Sequence, residues 1–479
     1  MLEYRDVYAG GRLIPSVSPD VITVVNPATE EIAGTVPASA AADVDASVGA
    51  ARRAFDDGGW ALGPRADRAD AMERLASALD DRAEDTARLV TAETGMPIRF
   101  SRIHNGMAPS AILRYYASLA RGLAPEEFRG AISFAGQTLV RREPVGVTAV
   151  MAPWNYPLTL AFAQLAPALA VGCTAVLKPA TETSLSAYIL AEAFEAADFP
   201  LGVFNMVTGG HDVAEMLARH RGIDKVAFAG VVSAGRRIAA ICGERLKPVS
   251  LELGGTAAAI LLADADLSVA AAELGGLCFA NSGQACFAAS RVLAPRSRYD
   301  EAISALARQA AGMMLGDPMD EETTMGPLVG PDHRGRVESY VAGRVAAGAR
   351  VVTGARRPAA PVRGYYYEPT VFAGAMPPPG AGEEVFGPVV TVVPYTGEAE
   401  AVALANDSEC GLAVSVWTAD AERGLEMARR TRAGTFGVNL YMPDLGAPWG
   451  DRRASGPASL YGPESLDAYV SAKSVFLKG

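Results

Sequence analysis

The chain has 479 residues, half of them hydrophobic and 20% charged, enough apolar material for two or three domains with buried cores. Its 43 basic and 54 acidic residues leave a formal charge of -11, spread along the chain, which argues against a nucleic-acid or anionic-membrane surface.

The opening stretch, MLEYRDVYAGGRLIPS, carries charges where a secretion signal needs an apolar core. No later run approaches the ~18 to 20 uncharged apolar residues of a membrane span, so the expected location is the cytoplasm. Ala41 to Leu119 reads as mostly helical, through amphipathic stretches such as AADVDASVGAARRAF and MAPSAILRYYASLARGL. Ala131 to Arg142 (AISFAGQTLVRR) alternates like an exposed hairpin. From Val145 to Leu253 short apolar runs (VGVTAVMA, TAVLK, VFNMV, KVAFA, VSLEL) alternate with alanine- and leucine-rich helical segments. Such a series predicts a parallel sheet covered on both faces, with ligands beyond the carboxyl ends of its strands.

Ala257 to Leu445 opens with another apolar strand, AAAILL, and reads as a second α/β region, interrupted by the low-complexity loop MPPPGAG at Met376. The last segment, SLDAYVSAKSVFLKG, and the exposed hairpin are either a frayed tail and a surface hairpin or edges that pair with another subunit.

Five cysteines (Cys173, Cys242, Cys278, Cys286, Cys410) are widely spaced, odd in number and contain no C-x-x-C pair, so neither a disulfide framework nor a thiolate zinc site is expected. The four histidines (His104, His211, His220, His333) form no ligand set, and no catalytic metal is expected.

Four strand ends or loops combine a reactive or polar group with glycine or proline: APWNYP (Asn155), LKPATETS (Lys178), LELGG (Glu252) and NSGQACFAAS (Cys286). Singly, each has a bland alternative. Cys286 is a nucleophile or a small buried hydrophobe, Asn155 a donor or a turn residue, Lys178 a ligand or a solvated strand end, and Glu252 a base or a salt-bridge partner.

Taken in order, these motifs resemble the aldehyde dehydrogenase superfamily along nearly the whole chain. The likeness begins at ETGMP (Glu93) and runs through APWNYPLTLAFAQLAPALAVGCTAVLKPA, VFNMVTGG, LELGG, NSGQACFAASR, LGDPMDEETTMGPLV, EEVFGPVV and APWGDRRASG. The resemblance implies an α/β chain. A Rossmann-like, doubly wound parallel-sheet cofactor domain spans 1–118 and 138–253, with 448–457 returning to it. An α/β catalytic domain spans 254–447, and 119–137 with 458–479 form a small β oligomerisation flap of a homodimer or homotetramer.

It further implies that Cys286 attacks an aldehyde, that the Asn155 amide and the Cys286 backbone N–H hold the resulting oxyanion, and that hydride passes to NAD or NADP. Glu252 then activates water to cleave the thioester. Branches that pass the acyl group to coenzyme A commonly lack this carboxylate, so Glu252 points to a free carboxylic acid. Gly283 and Ala285 are expected to clear space for the backbone and the substrate. Trp154 flanks the cofactor, Lys178 meets the adenosine ribose, Gly230 allows close approach of the phosphates, and Glu384 with Phe386 positions the nicotinamide ribose and ring. Tyr156, Phe287, the helix around Met107 to Leu113 and the loop NLYMPDL near Asn439 are expected to line an apolar tunnel for a medium-chain or aromatic aldehyde.

Two departures from the family pattern concern the cofactor. Many NAD-preferring members have glutamate three residues after the lysine; here that place is Thr181, with Glu182 displaced by one. At ~4 Å two unit charges interact by roughly 1 kcal/mol in water and about 4 kcal/mol at an effective dielectric near 20, so losing that repulsion should admit the 2′-phosphate of NADP unless Glu182 swings in. The turn that usually supplies a serine hydroxyl to the pyrophosphate has Val231, with Ser233, Arg236 or Arg237 as possible compensation. That damaged turn keeps a cofactor-independent thiol esterase or acyl transferase in view beside the dehydrogenase, with a non-catalytic descendant as the third reading.

Overall fold

Five short apolar runs between Val147 and Leu253 form the parallel centre of a seven-stranded sheet in the computed structural model, which describes residues 1–375, 384–450 and 452–479. The MPPPGAG loop lies outside the described residues. From one edge the strands are Val249–Leu253, Lys225–Gly230, Val147–Met151, Thr174–Lys178 and Phe204–Met206, followed by the antiparallel hairpin Asp6–Ala9 and Arg12–Pro15. Strand order reverses between Val147–Met151 and Lys225–Gly230, which opens a crevice beyond their carboxyl ends.

The reason for this arrangement is burial on both faces. Val147, Ala149 and Met151 pack with helices Ala41–Asp56, His211–Arg219 and Val232–Glu244, while Val150 on the opposite face joins helix Pro157–Val171, every residue of which is buried. Helices Arg65–Asp80 and Ala108–Gly122 extend this second core.

After Leu253 the chain leaves this sheet and at Ala257 begins a second one. Strands Thr370–Ala373, Val389–Tyr395, Ala289–Pro295, Ala257–Leu261, Ala413–Trp417 and Thr435–Val438 lie parallel, with Arg350–Thr353 antiparallel on one edge. Three loops that matter below, Gly254–Thr256, Gly283–Ala288 and Glu384–Pro388, enter strands of this sheet at their amino ends. The carboxyl ends of the first sheet thus face the amino ends of the second.

The expected hairpin at Ala131 to Arg142 is shifted. Its strands are Glu126–Gly130 and Gly136–Pro144, and 131–135 form the turn. The C-terminal segment is not frayed: Val470–Lys478 pairs antiparallel along the whole of Gly136–Pro144. The two orphan segments therefore cover one another, making Gly136–Pro144 the middle strand of a three-stranded flap. Among the described residues no helix is long and apolar enough to cross a membrane.

Candidate active site

Asn155 follows strand Val147–Met151 and precedes Pro157, which opens the next helix and donates no N–H. Its side chain is 4% exposed. The amide Nδ2 donates to the carbonyl of Gln284 at 3.1 Å, and Asn281 Nδ2 donates to the carbonyl of Asn155 at 3.0 Å. Reciprocal amide bonds thus stitch the end of the first sheet to the loop carrying Cys286.

That loop is held in an unusual shape. Asn281, Ser282 and Gly283 all have left-handed backbones, φ 48°, 59° and 71°. Each of the first two costs on the order of 1 kcal/mol or more and persists only where neighbours over-determine it. Ser282 Oγ donates to the Gly326 carbonyl at 2.8 Å, Gln284 Nε2 to that of Asn281 at 3.0 Å, and Val329 N–H to Gln284 Oε1 at 3.0 Å. The clearance at Gly283 serves backbone, since a Cβ there would stand 2.1 Å from the Gly387 oxygen.

Cys286 emerges from this loop half-buried, whereas Cys173, Cys242 and Cys278 lie in the cores. Burial pushes the Cys173 thiol up to about 11 and raises those of Cys242 and Cys278. The filler reading describes those three cysteines. Glu252, the fourth residue of strand Val249–Leu253, is 6% exposed. The Tyr461 phenol lies within electrostatic reach of both: it is raised first by burial, then by the charges of Cys286, Tyr116 and Glu252. Tyr469 is raised by burial, then Cys173, Glu252 and Tyr116.

Aromatic rings run on from the thiol. Tyr156 and Phe287 have centroids 6.1 Å apart, Phe287 stacks on Tyr441 at 5.9 Å, and Trp449 Nε1 donates to the Tyr441 hydroxyl at 3.1 Å. His104 meets Tyr156 edge-on at 5.1 Å. The stretch Met107 to Leu113 departs from its expected role, because Ile112 and Leu113 have no exposed surface and turn into the core with Tyr116. Met107 stays at the surface, as do Ile103, Leu440 and Met442.

On the cofactor side, Lys178 ends its strand buried, with Nζ donating to the carbonyls of Pro179 and Gly209 at 2.8 Å each. Burial lowers its pKa to about 8, opposed by Glu182 and Asp212. Thr181 Oγ1 donates to Glu182 Oε2 at 3.0 Å, so the displaced glutamate leans back onto the threonine's place. Helix Val232–Glu244 begins behind Gly230 with no side-chain cap; Val231 at the cap position is exposed, and a Cβ on Gly235 would meet Leu253 at 2.4 Å. Ser233 is exposed on the first turn. The two arginines suggested as compensation are otherwise engaged: Arg237 forks onto Glu215 at 2.9 and 3.0 Å, and Arg236 reaches Glu409 at 3.3 Å.

The Glu384 carboxylate lies against Gly254, where a Cβ would come within 1.8 Å of it. Burial raises its pKa to about 8, with the Gly255 N–H opposing. Phe386 adopts φ 47° and, with Trp154 and His333, forms a triangle of edge-on rings. An uncapped helix start behind a glycine, a buried lysine, a half-buried carboxylate and an aromatic wall suit a dinucleotide's phosphates, riboses and flat ring. Among the described residues no group of three or more His, Cys, Asp or Glu could hold a metal.

Sequence reasoning passed over Tyr461, Trp449 and His333. Tyr461 lies in the C-terminal segment expected to pair at an edge, Trp449 in the APWGDRRASG motif, and His333 is a lone histidine with no metal-ligand spacing.

Comparison with known proteins gives a consistent picture. The model of the aldehyde dehydrogenase family matches residues 14–475. A geranial dehydrogenase of Castellaniella defragrans is 43% identical over 480 residues, covering all of both chains. The crystal structure of a Mycobacterium tuberculosis aldehyde dehydrogenase complexed with NAD+ is 41% identical, with TM-score 0.95 over 99% of this chain and 98% of that one. An NAD-dependent aldehyde dehydrogenase from Sinorhizobium meliloti superimposes with TM-score 0.95 at 36% identity, over 99% and 95% of the two chains.

Proposed function

The chain belongs to the aldehyde dehydrogenase family, whose members oxidise an aldehyde to a carboxylic acid with a nicotinamide cofactor, and from that premise we propose a role for each residue of its site. Cys286 is the nucleophile. Its sulfur, as thiolate once the thiol proton has passed to water, adds to the carbonyl carbon, and the former carbonyl oxygen becomes an oxyanion to which the Asn155 amide and the Cys286 backbone N–H donate. A nicotinamide cofactor held beside Glu384, Phe386 and Trp154 would supply the acceptor for the hydride that leaves that tetrahedral carbon. Glu252 takes a proton from water as the water attacks the resulting thioester, and the acid leaves as the thiol is restored.

The observation that supports this reading most is the pair of reciprocal bonds from Asn155 to Gln284 and from Asn281 to Asn155, since they tie an amide donor at the end of one sheet to the loop that carries the thiol into the other. One Asn155 N–H is spent on Gln284, and the second is the donor assigned to the oxyanion. Asn155→Ala should lower kcat about 10² to 10³-fold, with little change in cofactor affinity. A loss below tenfold would remove Asn155 from the reaction.

The ring series Tyr156, Phe287 and Tyr441 supports an apolar medium-chain or aromatic aldehyde as substrate. A panel of aliphatic, aromatic and semialdehyde substrates with NAD and NADP, followed by nicotinamide reduction, tests this; no reduction with any of them would sink the dehydrogenase reading itself.

For the cofactor we favour NAD over NADP. Thr181's hydroxyl hydrogen is committed to Glu182, and the Glu182 carboxylate lies within electrostatic reach of Lys178, two of whose three N–H groups serve carbonyls, so a 2′-phosphate would meet a carboxylate beside the cation. NAD should bind about tenfold or more tightly than NADP, a difference of roughly 1.4 kcal/mol, and Glu182→Gln should narrow that ratio. Quenching of tryptophan fluorescence measures both constants, and tighter binding of NADP by the unaltered protein would overturn the preference.

A further inference from the structure

Lys225 opens strand Lys225–Gly230, which pairs with the strand of Glu252, and it is 2% exposed. A buried ammonium is costly unless something answers it, and an acid is the usual answer. Here Nζ donates to Ser250 Oγ at 2.7 Å and lies 5.0 Å from the centre of the Tyr469 ring. Neither partner brings a negative charge: Ser250 is a hydroxyl, and burial, followed by the charges of Cys173, Glu252 and Tyr116, raises the Tyr469 phenol well above its ordinary range. None of the steps assigned to Cys286, Asn155 and Glu252 uses this cation.

Both partners lead to Glu252. Ser250 precedes it by two residues in strand Val249–Leu253, so the pleat sets the two side chains on one face, and both are more than nine-tenths buried. An ammonium only donates, so Ser250 accepts from Lys225 and keeps its own hydrogen for an acceptor on that face. Tyr469 is fixed by its carbonyl, which accepts from the Val145 N–H at 3.0 Å, and its phenol senses the charge of Glu252.

The other titratable groups around Lys225 leave its charge unanswered. Cys173 lies just ahead of strand Thr174–Lys178 and Cys242 on helix Val232–Glu244, and burial raises both thiols, so both are neutral. The phenols of Tyr116 and Tyr461 are likewise raised by burial. Arg68 reaches Cys173 while bonded to the carbonyls of Trp60, Gly63 and Ala170, and Lys247 reaches Cys242 while bonded to those of Ala218 and His220. Asp224, the preceding residue, is taken up by Arg52 and the Val147 N–H. Burial lowers the pKa of Lys225 to about 8, opposed by Cys173 and Cys242, so the ammonium persists at neutral pH.

We propose that Lys225 is a positioning residue for Glu252: held by Ser250 and the Tyr469 ring, it keeps a positive charge on the inner face of the strand, and this holds the carboxylate ionised and able to take the proton of the hydrolytic water. The proposal rests on the assignment of Glu252 as that base. Lys225 itself makes and breaks no bond.

Three variants test the idea: Lys225→Met, Lys225→Arg and Ser250→Ala. Two rates are followed across pH: nicotinamide reduction in a single turnover, and decay of the acyl group on Cys286 by rapid quench and mass spectrometry. In Lys225→Met the first rate should stay within about threefold of the unaltered protein, while the acid limb of acyl decay moves up by about one pH unit, a loss of about tenfold along that limb. The two decay profiles should converge above about pH 9, where the unaltered Lys225 has itself lost its proton. Lys225→Arg keeps the charge and should leave the acid limb in place, and Ser250→Ala should move it the same way as Lys225→Met by less. Should Lys225→Met fail to fold, Ser250→Ala decides on the same two rates.

An acid limb that coincides with that of the unaltered protein would overturn the proposal. So would an equal loss in both rates at every pH, the mark of a purely structural role. If Glu252→Gln leaves acyl decay unchanged, the reading on which the proposal rests falls instead.

Discussion

Cys286→Ala is expected to remove NAD reduction entirely, a loss of at least about 10⁴-fold with the best aldehyde of the panel. The expectation is strong because nothing nearby can replace the sulfur. Tyr156 and Tyr461 surround it, yet burial and the neighbouring Cys286 charge push both phenols above their ordinary range, so neither supplies a phenolate at neutral pH. Cys410 is the other half-buried cysteine, and burial followed by the Glu384 charge raises its thiol pKa, which leaves it poor in thiolate. Cofactor affinity should be unchanged, since fluorescence titration senses Trp154 and the phosphate turn rather than the thiol. Cys286→Ser is the finer probe: it keeps the shape but replaces the thiol with a hydroxyl, which is far less acidic and so a poor nucleophile at neutral pH. Retention of more than about 1% of turnover by Cys286→Ala would transfer the chemistry to another group.

The same physics explains which parts of this site are legible in a sequence. Strands such as Thr174–Lys178 are buried on both faces and so read as unbroken apolar runs with clear limits. The flap strands face little core: Glu126–Gly130 is exposed throughout and Val470–Lys478 nearly so, leaving no hydrophobic period to locate their ends or reveal that they share a partner. Asn155, Glu252 and Cys286 stand out because glycine and proline surround them and because their order along the chain is distinctive.

His333 and Tyr461 reach the site's neighbourhood through space instead. Neither has a local signature, and a lone histidine in a helix gives no hint that a left-handed phenylalanine fifty-three residues later needs its N–H. The rule that ligands lie beyond carboxyl strand ends points to Asn155, Lys178 and Glu252. It says nothing of the loops at Cys286 and Glu384, which enter their strands at the amino end: glycine marks the first of them locally, and the second is recognisable only by resemblance.

Glu252→Gln should separate the two halves of the reaction. The substitution keeps size and polarity in a pocket shared with Tyr461 and Tyr469 while removing the proton acceptor. Thiol addition and hydride transfer can then proceed once, giving a burst of reduced nicotinamide that approaches one equivalent per subunit. Steady-state turnover behind the burst should fall about 10² to 10⁴-fold, the usual worth of a positioned general base. Mass spectrometry of the quenched protein should find the acyl group on Cys286, and hydroxylamine, which attacks a thioester without needing a base, should speed its release. If the burst also disappears, the carboxylate is required earlier, to take the proton from the thiol. If steady-state turnover is unchanged, Glu252 is not the base, and the water must be activated by a group that this arrangement of Cys286, Asn155 and Tyr461 does not identify.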